Sequence, residues 1–190
     1  MHPSPAVRRA AFVAIALALV AVVTAFLVGR GGGSADDPVA HVGGRAITKG
    51  QLEAVVHHFR LEAAREDHPF PAENSAVGRR VRNRLLGVLV YRTELRQAAH
   101  RLGVHVTAVQ VLKRLQASGG SGESSHDAFE FGSAETQLLY EAIFRKVTRS
   151  VKAPTRAELS ARRNDAMTRF VARLQRTTKV RYEPGYAPSP

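Results

Sequence analysis

The sequence lacks cysteine altogether, which excludes disulfide bonds, thiolate metal sites, a cysteine nucleophile and the acylated cysteine of a bacterial lipoprotein. Tryptophan is also absent, and aromatic residues make up only 6% of the 190-residue chain. The hydrophobic fraction of 44% is ordinary for a folded domain. A core with many aliphatic and few aromatic side chains favours packed helices over an aromatic-lined cofactor pocket.

Short motifs for catalysis or phosphate binding are missing as well. Neither G-x-S-x-G nor S-x-x-K occurs, and the glycine runs at 31–33 and 119–122 lack the surroundings of a phosphate loop. None of the eight histidines has the H-x-x-x-H spacing of a helical metal site. Glu62 and Glu66 lie one turn apart, but neighbouring arginines favour a solvated helix face over an acid–base pair. We therefore predict no catalytic residue, no metal and no cofactor.

Residues 10–28 form an uncharged run of 19 residues in which Thr24 is the only polar side chain. As a helix, at about 1.5 Å per residue, this run would span about 28 Å, close to the hydrocarbon thickness of a bilayer. Arg8 and Arg9 lie in the short segment 1–9, which predicts a cytoplasmic tail with the rest of the chain outside. The Gly-rich segment 29–38 predicts a flexible linker.

Two outcomes stay open for this N-terminal segment. The length of the apolar run favours an uncleaved signal anchor, and hence a single-pass protein of the cytoplasmic membrane. Small residues at 23–25 and at 33–35 also resemble cleavage sites for signal peptidase. Cleavage at either site would give a secreted protein.

Positive charge is in excess, with a formal net charge of +12, of which +9 remains when Arg8, Arg9 and Arg30 are set aside. The densest run predicts a basic helix surface formed by Arg79, Arg80, Arg82 and Arg84. Such a surface is either an ordinary solvated face or a contact site for acidic lipid or client protein. Nucleic acid is not the expected partner, because the domain is predicted to lie outside the cytoplasm.

Hydrophobic spacing predicts a mainly α-helical domain over residues 39–183, followed by a tail over 184–190. Three capping boxes mark helix starts: Thr48 with Gln51, Thr107 with Gln110, and Thr155 with Glu158. The expected order is a strand at 39–42, helices near 48–66, 73–102, 107–117, 133–151 and 155–176, and a strand at 179–182. Because these strands begin and end the domain, we expect them to pair as a two-stranded sheet.

Three stretches resemble the SurA N-terminal chaperone domain and its relatives among the PrsA-type extracytoplasmic foldases. Residues 39–52, VAHVGGRAITKGQL, resemble the opening strand, the turn and the start of the first helix. Residues 85–107 resemble the second helix and its exit, here LGVHVT. Residues 170–186 resemble the closing helix and strand of Gram-positive members. The resemblance covers about residues 38–187 and rests on the order of these stretches behind an export signal.

This resemblance implies a SurA-N-like bundle of about five helices that binds unfolded or nascent exported polypeptides. Fuller family members carry a parvulin prolyl-isomerase domain before the last helix. Here the corresponding place, residues 152–155, leaves no room for that domain. The resemblance therefore implies a non-catalytic chaperone or foldase-like protein. A peptidyl-prolyl isomerase and a non-chaperone scaffold of the envelope are the alternatives.

A chaperone of this kind needs exposed apolar side chains to hold a client. The candidates are apolar positions that lie off the predicted core stripes: Leu61, Leu86, Val90, Tyr91, Leu138, Tyr140 and Phe144. The alternative for each of them is that it completes the core of a wide-faced helix.

Overall fold

The computed structural model describes residues 35–118 and 128–187. The elements run in the order β1 (Pro38–Val42), β2 (Arg45–Thr48), α1 (Lys49–Arg65), α2 (Ala76–Arg101), α3 (Ala108–Ala117), α4 (Ala128–Val147), α5 (Arg156–Thr177) and β3 (Val180–Tyr182). The described part of the chain is therefore mainly helical, as predicted, with five helices and a small antiparallel sheet.

The sheet joins the two ends of the domain. β1 pairs antiparallel with β3, with Val42 opposite Val180 and Ala40 opposite Tyr182, which confirms the predicted pairing. The prediction of two strands is wrong, because β2 pairs on the other side of β1 and the order is β2-β1-β3. Gly43 and Gly44 connect β1 to β2 with φ of 53° and 85°, the two positive values that a type I′ hairpin turn requires.

Local capping explains where the helices begin and end. The boxes Thr48–Gln51 and Thr107–Gln110 are both present. In each, the Thr hydroxyl accepts from the Gln backbone N–H, and the Gln side-chain oxygen accepts from the Thr backbone N–H. Thr155 accepts from the Glu158 N–H at 3.2 Å, and within the described residues that box is one-sided. Helix α2 closes with a Schellman motif, in which Gly103 takes a φ of 63°.

Two helix starts differ from the prediction. Helix α2 begins at Ala76 because Ser75 caps it, the Ser75 hydroxyl accepting from the Gly78 N–H at 2.8 Å. Helix α4 is already formed at Ala128, the first residue described after position 118, which is five residues before its predicted start near residue 133. Its first turn is held by tertiary contacts, since the Phe129 ring lies between the imidazole of His58, at 4.3 Å, and the guanidinium of Arg92, at 4.4 Å.

Two hydrophobic cores share the long helix α2. The first core combines the sheet, α1 and the N-terminal half of α2: Val39, Ala40, Val42, Ile47, Leu52, Val55, Val56, Leu85, Leu86 and Val90. The second core combines the C-terminal half of α2 with α4 and α5: Leu95, Ala98, Ala99, Leu139, Ile143, Met167 and Leu174. On α3 the buried residue is Val111, whereas Val109 is exposed.

Among the described residues, no helix has the length and apolar content needed to cross a membrane. The predicted membrane helix at 10–28, the tail 1–9 and most of the predicted linker 29–38 lie outside the described residues. The predicted C-terminal tail 184–190 is described as far as residue 187.

Helix α2 also buries charged side chains. The Arg92 guanidinium donates to the Ser133 hydroxyl and, at 3.4 Å, to the Phe129 carbonyl, and thereby ties α2 to α4. Glu94 is 3% exposed. Burial raises the pKa of the Glu94 carboxyl above its ordinary value of 4.5, and burial followed by the Glu94 charge raises the pKa of Tyr182 on β3.

The Glu94 carboxyl makes stability depend on pH. Between its ordinary pKa and its raised pKa, the folded chain holds a proton that the unfolded chain releases, so stability falls as pH rises through this window. Glu94→Gln removes the titration. We therefore expect the variant to gain stability relative to the natural chain between about pH 4 and about pH 7. Chemical denaturation of both chains at the two pH values measures this gain. A difference in unfolding free energy between variant and natural chain that is the same at both pH values would contradict it.

Candidate polypeptide-binding surface

The structure places two of the seven predicted client-binding residues in the core. Leu86 is 0% exposed and Val90 is 7% exposed, so the prediction that these two lie at the surface is wrong. The reason is the position of α2, which packs against the sheet, α1, α4 and α5. A helix that is covered on several sides buries apolar residues well beyond one narrow stripe.

The other five predicted residues do lie at or near the surface. Leu61 on α1 is 46% exposed and Tyr140 on α4 is 38% exposed. Tyr91, Leu138 and Phe144 are half-buried, and both Tyr91 and Phe144 pack against the second core. Burial raises the pKa of Tyr91, with a further contribution from the nearby Tyr140. Leu61 lies on α1, a helix that builds the first core, whereas Tyr91 and Phe144 pack against the second core.

Sequence reasoning missed other apolar surface positions. Val77, at the start of α2, is 50% exposed, and Val109 on α3 is 67% exposed. Phe70 and Pro71, in the loop between α1 and α2, line a small pocket together with Glu53, Val56, Glu73, Gly78 and Arg82. The Pro69–Phe70–Pro71 segment could have indicated this pocket. An aromatic residue between two prolines cannot continue a regular helix, so its ring can pack beside the loop.

The N-terminal half of α2 carries an open groove of about 420 Å³, lined by Ala76, Arg79, Arg80, Asn83, Gly185 and Ala187. Three of the arginines predicted as a basic surface, Arg79, Arg80 and Arg84, are exposed there, and Arg82 is half-buried. We call this region, Ala76–Arg84 with its groove, the α2 groove. It lies beside the Phe70 pocket, because Arg82 and Gly78 of the same helix turns line that pocket.

The chain's own C-terminal segment forms one wall of the α2 groove. After β3, residues 183–187 cross α2, and the Asn83 side-chain amide donates to the Ala187 carbonyl at 2.8 Å. The Arg82 guanidinium lies over the Tyr186 ring, 5.0 Å from its centroid. Tyr186 also packs against the first core.

These contacts bind features that any unfolded polypeptide offers. A hydrogen bond from a side-chain amide to a backbone carbonyl does not depend on the identity of the residue that supplies the carbonyl. A guanidinium can stack on any aromatic ring. Within the described residues, Asn83 Oδ1 and Arg82 Nε are buried without a hydrogen-bond partner.

The part of the chain that the structure describes contains no cluster of three His, Asp or Glu side chains that could hold a metal ion. The arrangement is thus a helical domain, tied at its ends by a sheet, whose C-terminal turn packs on α2 and forms one wall of an open basic groove.

A family model described as the SurA-like N-terminal domain matches residues 6–130, more than half of the chain. The chain therefore belongs to the SurA-like N-terminal domain family, a family of chaperone-like domains of periplasmic foldases. The match extends from the N-terminal segment through α3 to the first turn of α4. No curated protein and no solved structure matches the chain.

Proposed function

We propose that this protein is a membrane-tethered, extracytoplasmic chaperone that holds unfolded or nascent exported polypeptides without catalysing a reaction. The observation that carries the proposal is the α2 groove, an open basic surface whose side chains hold the chain's own C-terminal turn by the backbone carbonyl of Ala187 and the ring of Tyr186. In a chain of the SurA-like family, these contacts support the α2 groove as a binding site for client polypeptide.

Apolar side chains near the α2 groove add the second element of client binding. Val77 is exposed on the first turn of α2, and Phe70 and Pro71 form the adjacent pocket. Unfolded chains expose apolar residues that such positions cover, while the arginines of the groove keep the chaperone itself in solution. Leu61 on α1 and Tyr140 on α4 are separate exposed positions.

The proposed location rests on the N-terminal segment. Its 19-residue apolar run and the preceding Arg8 and Arg9 favour a helix that anchors the domain outside the cytoplasmic membrane. Secretion after cleavage is the alternative. Protease accessibility on intact cells, combined with N-terminal sequencing of the mature protein, separates these two outcomes.

Suppression of client aggregation tests the proposal. The full chain, reconstituted in neutral lipid nanodiscs, is expected to suppress light scattering from diluted, denatured client proteins at near-stoichiometric ratios. Replacing Arg82 and Asn83 together by Ala removes the guanidinium and the amide of the α2 groove. Because such contacts contribute about 1–2 kcal/mol in total, we expect clients to bind about tenfold more weakly to this variant.

The matched control replaces Asn164 and Arg169, an exposed pair of the same residue types on α5, and should bind clients as the natural chain does. Failure of the natural chain to suppress aggregation of any client in a varied set would refute the proposal. Equal losses in the two double variants would remove the assignment to the α2 groove. A proline-peptide isomerisation rate above the uncatalysed rate would overturn the non-catalytic part and favour the isomerase alternative.

A further inference from the structure

The net charge of the domain comes from one part of the chain. Residues 35–144 contain 13 Arg and Lys and 13 Asp and Glu, and so their formal charges balance. Residues 145–181 contain 12 Arg and Lys but only Glu158 and Asp165 as acids. The four arginines of the α2 groove are offset by acids elsewhere in residues 35–144, so the net excess of positive charge comes from the end of α4, the loop after it, α5 and β3.

Helix α5 separates its apolar and basic residues. Met167 and Leu174 are 1% and 5% exposed and pack into the second core. Arg169, Arg173 and Arg176 are exposed and follow one another at spacings of four and three residues. These spacings place the three side chains along one face of the last two turns, which points away from the core. We call these three residues the α5 basic face.

Three arginines elsewhere in the domain pair with carboxylates of other segments, whereas Arg79, Arg80 and Arg84 of the α2 groove make no ion pair among the described residues. Arg60 pairs with Glu73, Arg96 with Glu135 and Arg114 with Glu141. In the described ranges, the three arginines of the α5 basic face make no ion pair with a carboxylate. Glu158 lies in the first turn of the helix, and Asp165, one turn before Arg169, makes no ion pair with it among the described residues, so the last two turns carry three basic side chains and no acid.

We propose that the α5 basic face docks on the anionic phospholipid headgroups of the membrane to which the protein is tethered. The described exposed large apolar residues, Leu61, Val77, Val109 and Tyr140, all lie on other helices. The face therefore suits a charged surface better than an unfolded client, which needs apolar contacts. Each Arg near an anionic bilayer surface favours binding by roughly fivefold at physiological ionic strength.

The connectivity allows the face to reach the bilayer. The N-terminal segment joins the domain at β1, and β1 pairs with β3, which directly follows α5. A strand of five residues is only about 17 Å long, and a ten-residue linker spans up to about 35 Å when extended. The tether assumed here is the one in the proposed function, whereas the charge on α5 is independent of chaperone activity.

Site-specific fluorescence tests the docking. Because the chain has no cysteine, Ala172→Cys gives a single label beside the α5 basic face, and Ala64→Cys gives a control label on the exposed side of α1. The full-length variants are reconstituted into bilayers of phosphatidylcholine alone or mixed with phosphatidylglycerol, each containing a nitroxide-labelled lipid as quencher. We expect stronger quenching of the Ala172 label in the anionic bilayer, and loss of that increase at about 1 M salt, where the Debye length is about 3 Å.

Replacing Arg169, Arg173 and Arg176 together by Gln should lower the ratio of docked to free α5 face by on the order of 100-fold. The matched triple variant Arg79→Gln, Arg80→Gln and Arg84→Gln removes the same charge from α2 and should leave the quenching unchanged. Equal quenching in neutral and anionic bilayers, or equal losses in the two triple variants, would overturn the proposal. Displacement by soluble polyphosphate at equal phosphate concentration would instead assign the face to a soluble polyanion and overturn the lipid assignment. Aggregation suppression is measured in neutral bilayers, so its failure is distinguishable from failure of docking.

Discussion

Leu86→Ala is expected to lower the free energy of unfolding by about 2–5 kcal/mol. The Leu86 side chain is 0% exposed and belongs to the first core, together with Leu52 on α1 and Val39 on β1. Truncation removes buried methyl groups and leaves a cavity among residues from three elements, which cannot all collapse around it. Urea denaturation followed by circular dichroism measures the loss.

Leu61→Ala is the matched control, because it makes the same chemical change at a side chain that is 46% exposed on α1. We expect this substitution to alter the free energy of unfolding by no more than about 0.5 kcal/mol. The two variants distinguish the two predicted roles of an apolar residue that lies off the main helix stripe, namely a surface position that binds clients and a core position. A Leu86→Ala variant that keeps its stability but binds clients less well would restore Leu86 as a surface residue.

Gly78→Ala is expected to destabilise the domain by about 1–3 kcal/mol. A Cβ atom at Gly78 would stand 2.1 Å from the Ala72 carbonyl oxygen and 2.9 Å from its carbonyl carbon. Both are backbone atoms, so the clash is relieved only by moving the loop between α1 and α2. That loop carries Phe70 and Pro71, so the adjacent pocket should be distorted as well.

Gly87→Ala on the same helix should have the opposite effect. A Cβ atom there meets no atom within 4 Å, and Ala favours the helical conformation over Gly by about 0.8–1.0 kcal/mol. Comparison of the two melting temperatures under identical conditions checks both expectations. Two Gly→Ala variants that shift the melting temperature in the same direction would contradict a close approach between the Gly78 backbone and the Ala72 carbonyl.

Several features of the fold could be predicted because their causes lie within a few residues. A Thr followed three residues later by Gln caps its own helix, and the boxes at Thr48 and Thr107 do so. Gly103 ends α2 because the position after the helix requires a positive φ. Strand β2 escaped prediction because only Ile47 of its four residues is buried, which leaves too short a pattern to recognise.

The candidate site was only partly predictable. The arginine run on α2 indicated a basic surface, and Arg79, Arg80 and Arg84 are indeed exposed. No pattern in the sequence indicated that residues 183–187 return to this helix, since Asn83 and Ala187 are more than a hundred positions apart. Such long-range contacts follow from the sheet, which brings the end of β3 back beside β1.

The sequence by itself determined the helical class, the helix starts at Thr48, Thr107 and Thr155, the pairing of the terminal strands and the family to which the chain belongs. Each of these depends on local hydrogen bonds, on side-chain periodicity or on a recognisable order of motifs. Only the tertiary structure decided that Leu86 and Val90 are core, that the first turn of α4 packs on α1 and α2, and that Arg169, Arg173 and Arg176 share an exposed face without an ion pair among the described residues. Burial and charge pairing depend on which elements contact each other. The sequence of one helix does not show which neighbouring element will cover each of its faces.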